Sequence, residues 1–82
     1  MYYVYVLLSL KDHNLYTGST SDLRKRLQDH REGGTRSTKY RGPFKLVYYE
    51  ACESKTDALI REIYLKSAWG KRYLKNRIKH ST

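Results

Sequence analysis

Residues Tyr2 to Ser9 read YYVYVLLS. The run carries no charge and is dense in aromatic and β-branched side chains, so it reads as a strand at the centre of a sheet. A chain of 82 residues has room for one modest core and one domain, and this strand has to organise it. Two stretches can flank it. The turn KDHN leads back into LYTGS, the second strand of a hairpin with a non-ideal loop. FKLVYYEA, starting at Phe44, supplies a third strand.

Helical patterns fill the rest. Ser21 or Asp22 caps a first helix expected from Asp22 to about Arg31, with Leu23 and Leu27 facing the core at i, i+4 spacing. Glu32 to Pro43, EGGTRSTKYRGP, is glycine-rich, polar and basic, and reads as a loop. Ser54 followed by Asp57 resembles a capping box with Asp in place of Glu. A second helix is expected through DALIREIYLKSAW, with Gly70 breaking or bending it. KRYLKNRIK then forms a short basic helix with Leu74 and Ile78 on one side. The order β-β-α-β-α-α predicts an α+β fold, a three-stranded, largely antiparallel sheet flanked by helices, as one domain over residues 1–82.

The charge narrows the function. Seventeen Lys and Arg stand against eight Asp and Glu, a net charge of +9 and a pI near 9.8, which favours contact with nucleic acid over mere solubility. A membrane-surface role is disfavoured, because the apolar residues are spread over elements that need them for the core. The single cysteine, Cys52, cannot form an internal disulfide or a zinc site alone. The opening residues lack a basic n-region and a small-residue cleavage site, and no segment approaches the length of a membrane span, so a cytoplasmic protein is expected.

Several residues fit packing poorly. On a helical wheel of about 100° per residue with Leu23 at zero, Leu27 falls near +40°, His30 near −20° and Arg26 near −60°. Arg26 and His30 therefore border the buried stripe, where a guanidinium is costly without a partner. The second helix carries the converse feature. Glu62 sits among Ala58, Leu59, Ile63 and Leu65, and a carboxylate there wants a cation, either Arg26 or a metal ion. Of nine tyrosines most are expected to pack, but Tyr5 and Tyr16, on paired strands, could aim two phenols at one point. Gly18 permits a close approach of a ligand to the backbone or an unusual turn.

YVY at Tyr3–Tyr5 followed by YTG at Tyr16–Gly18 resembles the paired motif of the GIY-YIG nuclease superfamily. DLRKRLQDH resembles that family's helix with an arginine and, four residues later, a histidine or tyrosine; Glu62 resembles its metal-binding glutamate. GPFKLVYYEACESKTDALIREIYLK is similar to the compact single-domain bacterial and archaeal branch, related to the catalytic domain of the excision-repair incision nuclease. The resemblance covers nearly the whole chain, and the ordered set Tyr5, Tyr16, Gly18, Arg26, His30 and Glu62 carries it. Tyr3 replaces the first motif's glycine and Thr17 the second motif's isoleucine, while both motif tyrosines remain. The family often has a late asparagine, for which Asn76 is the candidate in the last helix.

The resemblance implies metal-dependent hydrolysis of a phosphodiester, as a DNA endonuclease of repair or recombination. Such chemistry needs an activated water, charge neutralisation on the phosphoryl oxygens and help for the leaving 3′-oxygen. Glu62 is expected to hold one Mg²⁺ or Mn²⁺, Arg26 to bind the phosphate as a planar fork, and Tyr5 or Tyr16 to act as general base with His30 bonded to a tyrosine or relaying the proton. Basic residues of the loop and last helix, Arg36, Lys39, Arg41, Lys71, Arg72 and Lys75, are expected to grip nucleic acid, with Tyr40 a candidate for stacking.

Three rivals stand beside this reading. Glu53-Ser54-Lys55 is an E-x-K triplet of the restriction-endonuclease type, but no partner Asp stands on the preceding strand. The fold and basic surface also suit a non-catalytic nucleic-acid-binding domain, or a basic accessory subunit of a repair complex. No sequence-reading element, helix-hairpin-helix or zinc module is visible, so nucleic-acid shape or a protein partner is expected to supply substrate choice.

Overall fold

The computed structural model describes residues 1–31 and 43–80; residues 32–42, with Arg36, Lys39, Tyr40 and Arg41, and residues 81–82 lie outside the described part. The described residues form six elements in the expected order: β1 (Tyr2–Ser9), β2 (Leu15–Thr20), α1 (Leu23–Arg31), β3 (Phe44–Cys52), α2 (Lys55–Lys66) and α3 (Ala68–Arg77). The sheet order is β2-β1-β3 and both pairings are antiparallel, which places the apolar run of β1 in the centre as its composition requires.

The two faces of β1 do different work. Val4 and Val6 pack with Ala58, Leu65 and Leu74 into the core beneath α2 and α3. Tyr3, Tyr5 and Leu7 alternate onto the other face, where His30 of α1 meets Tyr5. The pairing register with β3 shifts between Val6 and Leu7, whose partners are Tyr48 and Leu46. The extra residue, Val47, forms a bulge that sends Tyr48 to the core face and Leu46 to the opposite face.

The hairpin loop is built by its own polar groups. Ser9, fully buried, accepts hydrogen bonds on Oγ from the backbone N–H of Lys11 and Asp12, both at 3.2 Å. His13 takes φ of 61°, the left-handed turn position. Asp22 caps α1, its Oδ1 accepting from Lys25 N at 3.1 Å. Ser54 caps α2, accepting from Asp57 N at 3.4 Å.

Two expectations about the later helices are corrected. The break lies at Ser67, not Gly70: Ser67 ends α2 and caps α3, accepting from Gly70 N at 3.2 Å. Gly70 is helical and buried, and a Cβ there would collide with the Tyr64 carbonyl and the Leu65 backbone, so glycine lets α3 fold tightly back on α2. The second correction concerns the buried face of α2. Ala58 and Leu65 are inside, but Leu59 and Ile63 are exposed, with Ile63 at 71%. Neighbouring Arg61 turns to β3 instead, donating to Glu50 Oε2 at 2.7 Å.

Candidate active site at the β2 edge

The strand register explains how side chains from opposite faces of the sheet meet. Tyr5 stands opposite Gly18 on β2, the outer strand on that side. A Cβ on Gly18 would lie 2.5 Å from Tyr5 Oη and 2.7 Å from Cζ, so the missing side chain is what lets the phenol lie across β2. The space at Gly18 is therefore filled by Tyr5 and not left open to a ligand. One residue on, Ser19 pairs with Val4 and so points to the other face, where its Oγ donates to Glu62 Oε1 at 2.5 Å. A cleft of about 510 Å³ wraps this edge and is lined by Tyr5, Arg26 and His30 from one side and by Glu62, Lys66 and Lys71 from the other.

Each of these groups has a definable state. Tyr5 is 5% exposed and its Oη lies 3.1 Å from His30 Nε2, with the rings edge to face. Burial raises the Tyr5 pKa; the nearby Arg26 charge opposes this and the Glu62 charge adds to it. His30 is 8% exposed, deeper than its border position on the wheel implied. Burial and then the Arg26 charge lower its pKa, against a smaller opposing pull from Asp29, so the imidazole is neutral at pH 7. A neutral ring with its proton on Nδ1 accepts the Tyr5 hydroxyl proton at Nε2. Arg26 is half-buried, and its guanidinium has no hydrogen-bond or ion-pair partner among the described residues. A half-buried cation facing a cleft is a place for an anion.

Glu62 is held differently from the expectation. Its cation is neither Arg26 nor a place left for a metal alone: Lys66 Nζ sits 2.8 Å from Oε2. Burial pushes the carboxyl pKa up, but the hydrogen bonds from Lys66 and Ser19 and the Lys66 charge outweigh it, and the net shift is downward. Lys66 and Ser19 were both missed in the sequence. The i, i+4 spacing of Glu62 and Lys66 is a readable signal. Ser19 has none, because its role depends on which strand lies over α2.

The two motif tyrosines do not converge as a pair. Tyr16 stands opposite Leu7, not Tyr5, and its hydroxyl donates to Asp12 Oδ2 at 3.1 Å while its ring packs on Phe44. It lines the cleft, but its hydroxyl is tied to the hairpin loop. Of the remaining tyrosines, Tyr48 and Tyr73 share a 3.1 Å hydrogen bond against α3, and Tyr48 is pushed up to about 12, first by burial and then by that bond. Lys71 enters the cleft; Arg72 lies over the Trp69 ring at 5.2 Å, and Lys75 and Asn76 are exposed on α3 outside the cleft lining. Arg36, Lys39 and Arg41 lie outside the described residues.

No three His, Cys, Asp or Glu side chains cluster among the described residues. A single carboxylate at the edge of an open cleft still suits Mg²⁺ or Mn²⁺, which bind through one or two carboxylates and keep most of their waters. No described helix is long and apolar enough to cross a membrane.

The chain is similar to known proteins in sequence and fold. The family model described as GIY-YIG catalytic domain matches residues 1–78. A UPF0213 protein of Clostridium perfringens is 51% identical over 67 residues, covering 80% of this chain and 71% of that protein. One from Streptococcus pyogenes serotype M5 is 48% identical over 65 residues, covering 78% of this chain and 70% of that one. The solution NMR structure of a UPF0213 protein from Bacillus halodurans superposes with a TM-score of 0.57 at 40% identity, covering 93% of this chain and 84% of the other.

Proposed function

As the chain belongs to the GIY-YIG catalytic-domain family, matched over residues 1–78, we propose that it is a divalent-metal-dependent endonuclease acting on nucleic acid, with DNA as the substrate. The family is of nuclease type and its members generally depend on a divalent metal. The observation that carries the proposal is the meeting, at one sheet edge, of the Arg26 guanidinium, the Tyr5–His30 pair and the Glu62 carboxylate. A packing account predicts no such meeting, because α1 and α2 lie on opposite faces and share no core.

In this reading Arg26 binds the scissile phosphate and stabilises the charge that grows on it. Tyr5 is the general base for the attacking water, and His30 holds the phenol in position through the 3.1 Å contact. Tyr16 orients the hairpin side of the cleft through Asp12. Mg²⁺ or Mn²⁺ bound at Glu62 would supply charge neutralisation for the phosphoryl and leaving oxygens and offset the carboxylate charge that raises Tyr5. Lys71, with Arg72 and Lys75 beyond the cleft, holds the flanking backbone. Repair or recombination is the setting such an activity serves, with a protein partner or nucleic-acid shape choosing the site.

A cleavage panel tests this: duplex, flap, junction, single-stranded DNA and RNA, each with Mg²⁺, Mn²⁺ or EDTA. Cleavage of at least one substrate, abolished by EDTA, is expected. Tight binding with no cleavage of any substrate in either metal would leave a nucleic-acid-binding domain.

A further inference from the structure

The Glu62 carboxylate already holds a cation of its own. Lys66 Nζ lies 2.8 Å from Oε2, and Ser19 Oγ donates to Oε1, so both oxygens are engaged by protein groups. The two partners differ in freedom. The Lys66 side chain is 55% exposed, while that of Glu62 is 19% exposed and braced by Ser19. An exposed i, i+4 pair is weak, and the long lysine stem can turn away at little cost. The cleft offers somewhere to turn: Lys66 lines it together with Arg26 and Lys71, neither of whose side chains has a hydrogen-bond or ion-pair partner among the described residues.

Resting on the reading of Glu62 as the metal ligand, we infer that Lys66 is an exchangeable cation. It occupies Glu62 in the metal-free protein; displaced by a divalent ion, it moves to a phosphate of the bound nucleic acid beside Arg26 and Lys71. An ammonium and a divalent ion repel each other and compete for one carboxylate, so they exclude each other there. The displaced ammonium needs a new anion, and the phosphate is the nearest that binding brings. Metal and nucleic acid thereby favour each other through one side chain, and linkage makes the effect reciprocal. Lys66 acts on Glu62 and on the substrate backbone, and its removal leaves the fold intact because its charged end lies at the surface.

Two measurements test the exchange, neither reading turnover. The first is Mn²⁺ affinity without nucleic acid, from the free-ion electron paramagnetic resonance signal, for the wild type, Lys66→Met and Glu62→Gln. Removing the competitor should make Lys66→Met bind Mn²⁺ about three- to tenfold more tightly than the wild type. Equal or weaker binding by Lys66→Met overturns the inference. Unchanged Mn²⁺ affinity in Glu62→Gln would instead remove the underlying metal site, so the two failures are distinguishable. The second is duplex DNA binding in EDTA. Glu62→Gln should release Lys66 to the backbone and steepen the salt dependence by about 0.9, one phosphate contact. The double variant Glu62→Gln, Lys66→Met should lose that increment, and its persistence would overturn the inference.

Discussion

Gly18 sets where the Tyr5 phenol can lie, because any side chain there meets the hydroxyl at 2.5 Å and the ring at 2.7 Å. Gly18→Ala should therefore displace Tyr5 from His30 and cut turnover by about 100-fold, the order expected of a 1 Å error in placement. The accompanying loss of stability should be about 1–3 kcal/mol, as for overpacking, and comparing kcat with urea denaturation separates the two effects. His30 gives a pH-dependent test. Its folded pKa lies below the ordinary 6.5, so the unfolded chain takes up the proton first as acid is added. The stability it contributes is complete above pH 6.5 and is lost as pH falls towards the folded value. Urea unfolding from pH 7.5 to 5 should show this decline in the wild type and a smaller one in His30→Gln; equal declines would contradict the buried neutral state. Arg26, His30 and Glu62 could be singled out in the sequence because each is a polar group in an apolar pattern. That Tyr5 and not Tyr16 meets His30 could not, because it depends on a register that puts Gly18, not Tyr16, across from Tyr5.

Helix α2 shows where periodicity stops being informative. Apolar residues stand at Ala58, Leu59, Ile60, Ile63 and Leu65, enough to suggest more than one stripe. Only packing against Val4 and Val6 selects Ala58 and Leu65. Leu65→Ala should cost about 2–5 kcal/mol of stability, and Ile63→Ser less than about 0.5 kcal/mol, since only the first opens a cavity. Thermal or urea unfolding of the two variants checks the assignment, and a reversed order would contradict it. The strands were easier to read. β1 is apolar along its length because both its faces and both its edges are covered. The helix break was misplaced for a local reason. Gly70 looks like a terminator, but Ser67 followed by Gly70 N–H is a cap, and the glycine serves close helix packing.

At the scale of the whole molecule, the sheet is a partition with an open edge. Its two faces carry separate helices, and groups from both reach the same cleft around β2. The net charge of +9 draws nucleic acid to the surface without selecting a sequence, so binding should weaken steeply with salt. The cleft, not the charge, then decides between a nuclease and a binding domain. The most direct measurement is single-turnover cleavage by the wild type and Glu62→Gln in the same Mn²⁺ buffer, with nucleic-acid affinity measured alongside. The account predicts that Glu62→Gln binds at least as well as the wild type while its cleavage falls to the level seen in EDTA. Cleavage by Glu62→Gln at the wild-type rate would contradict it.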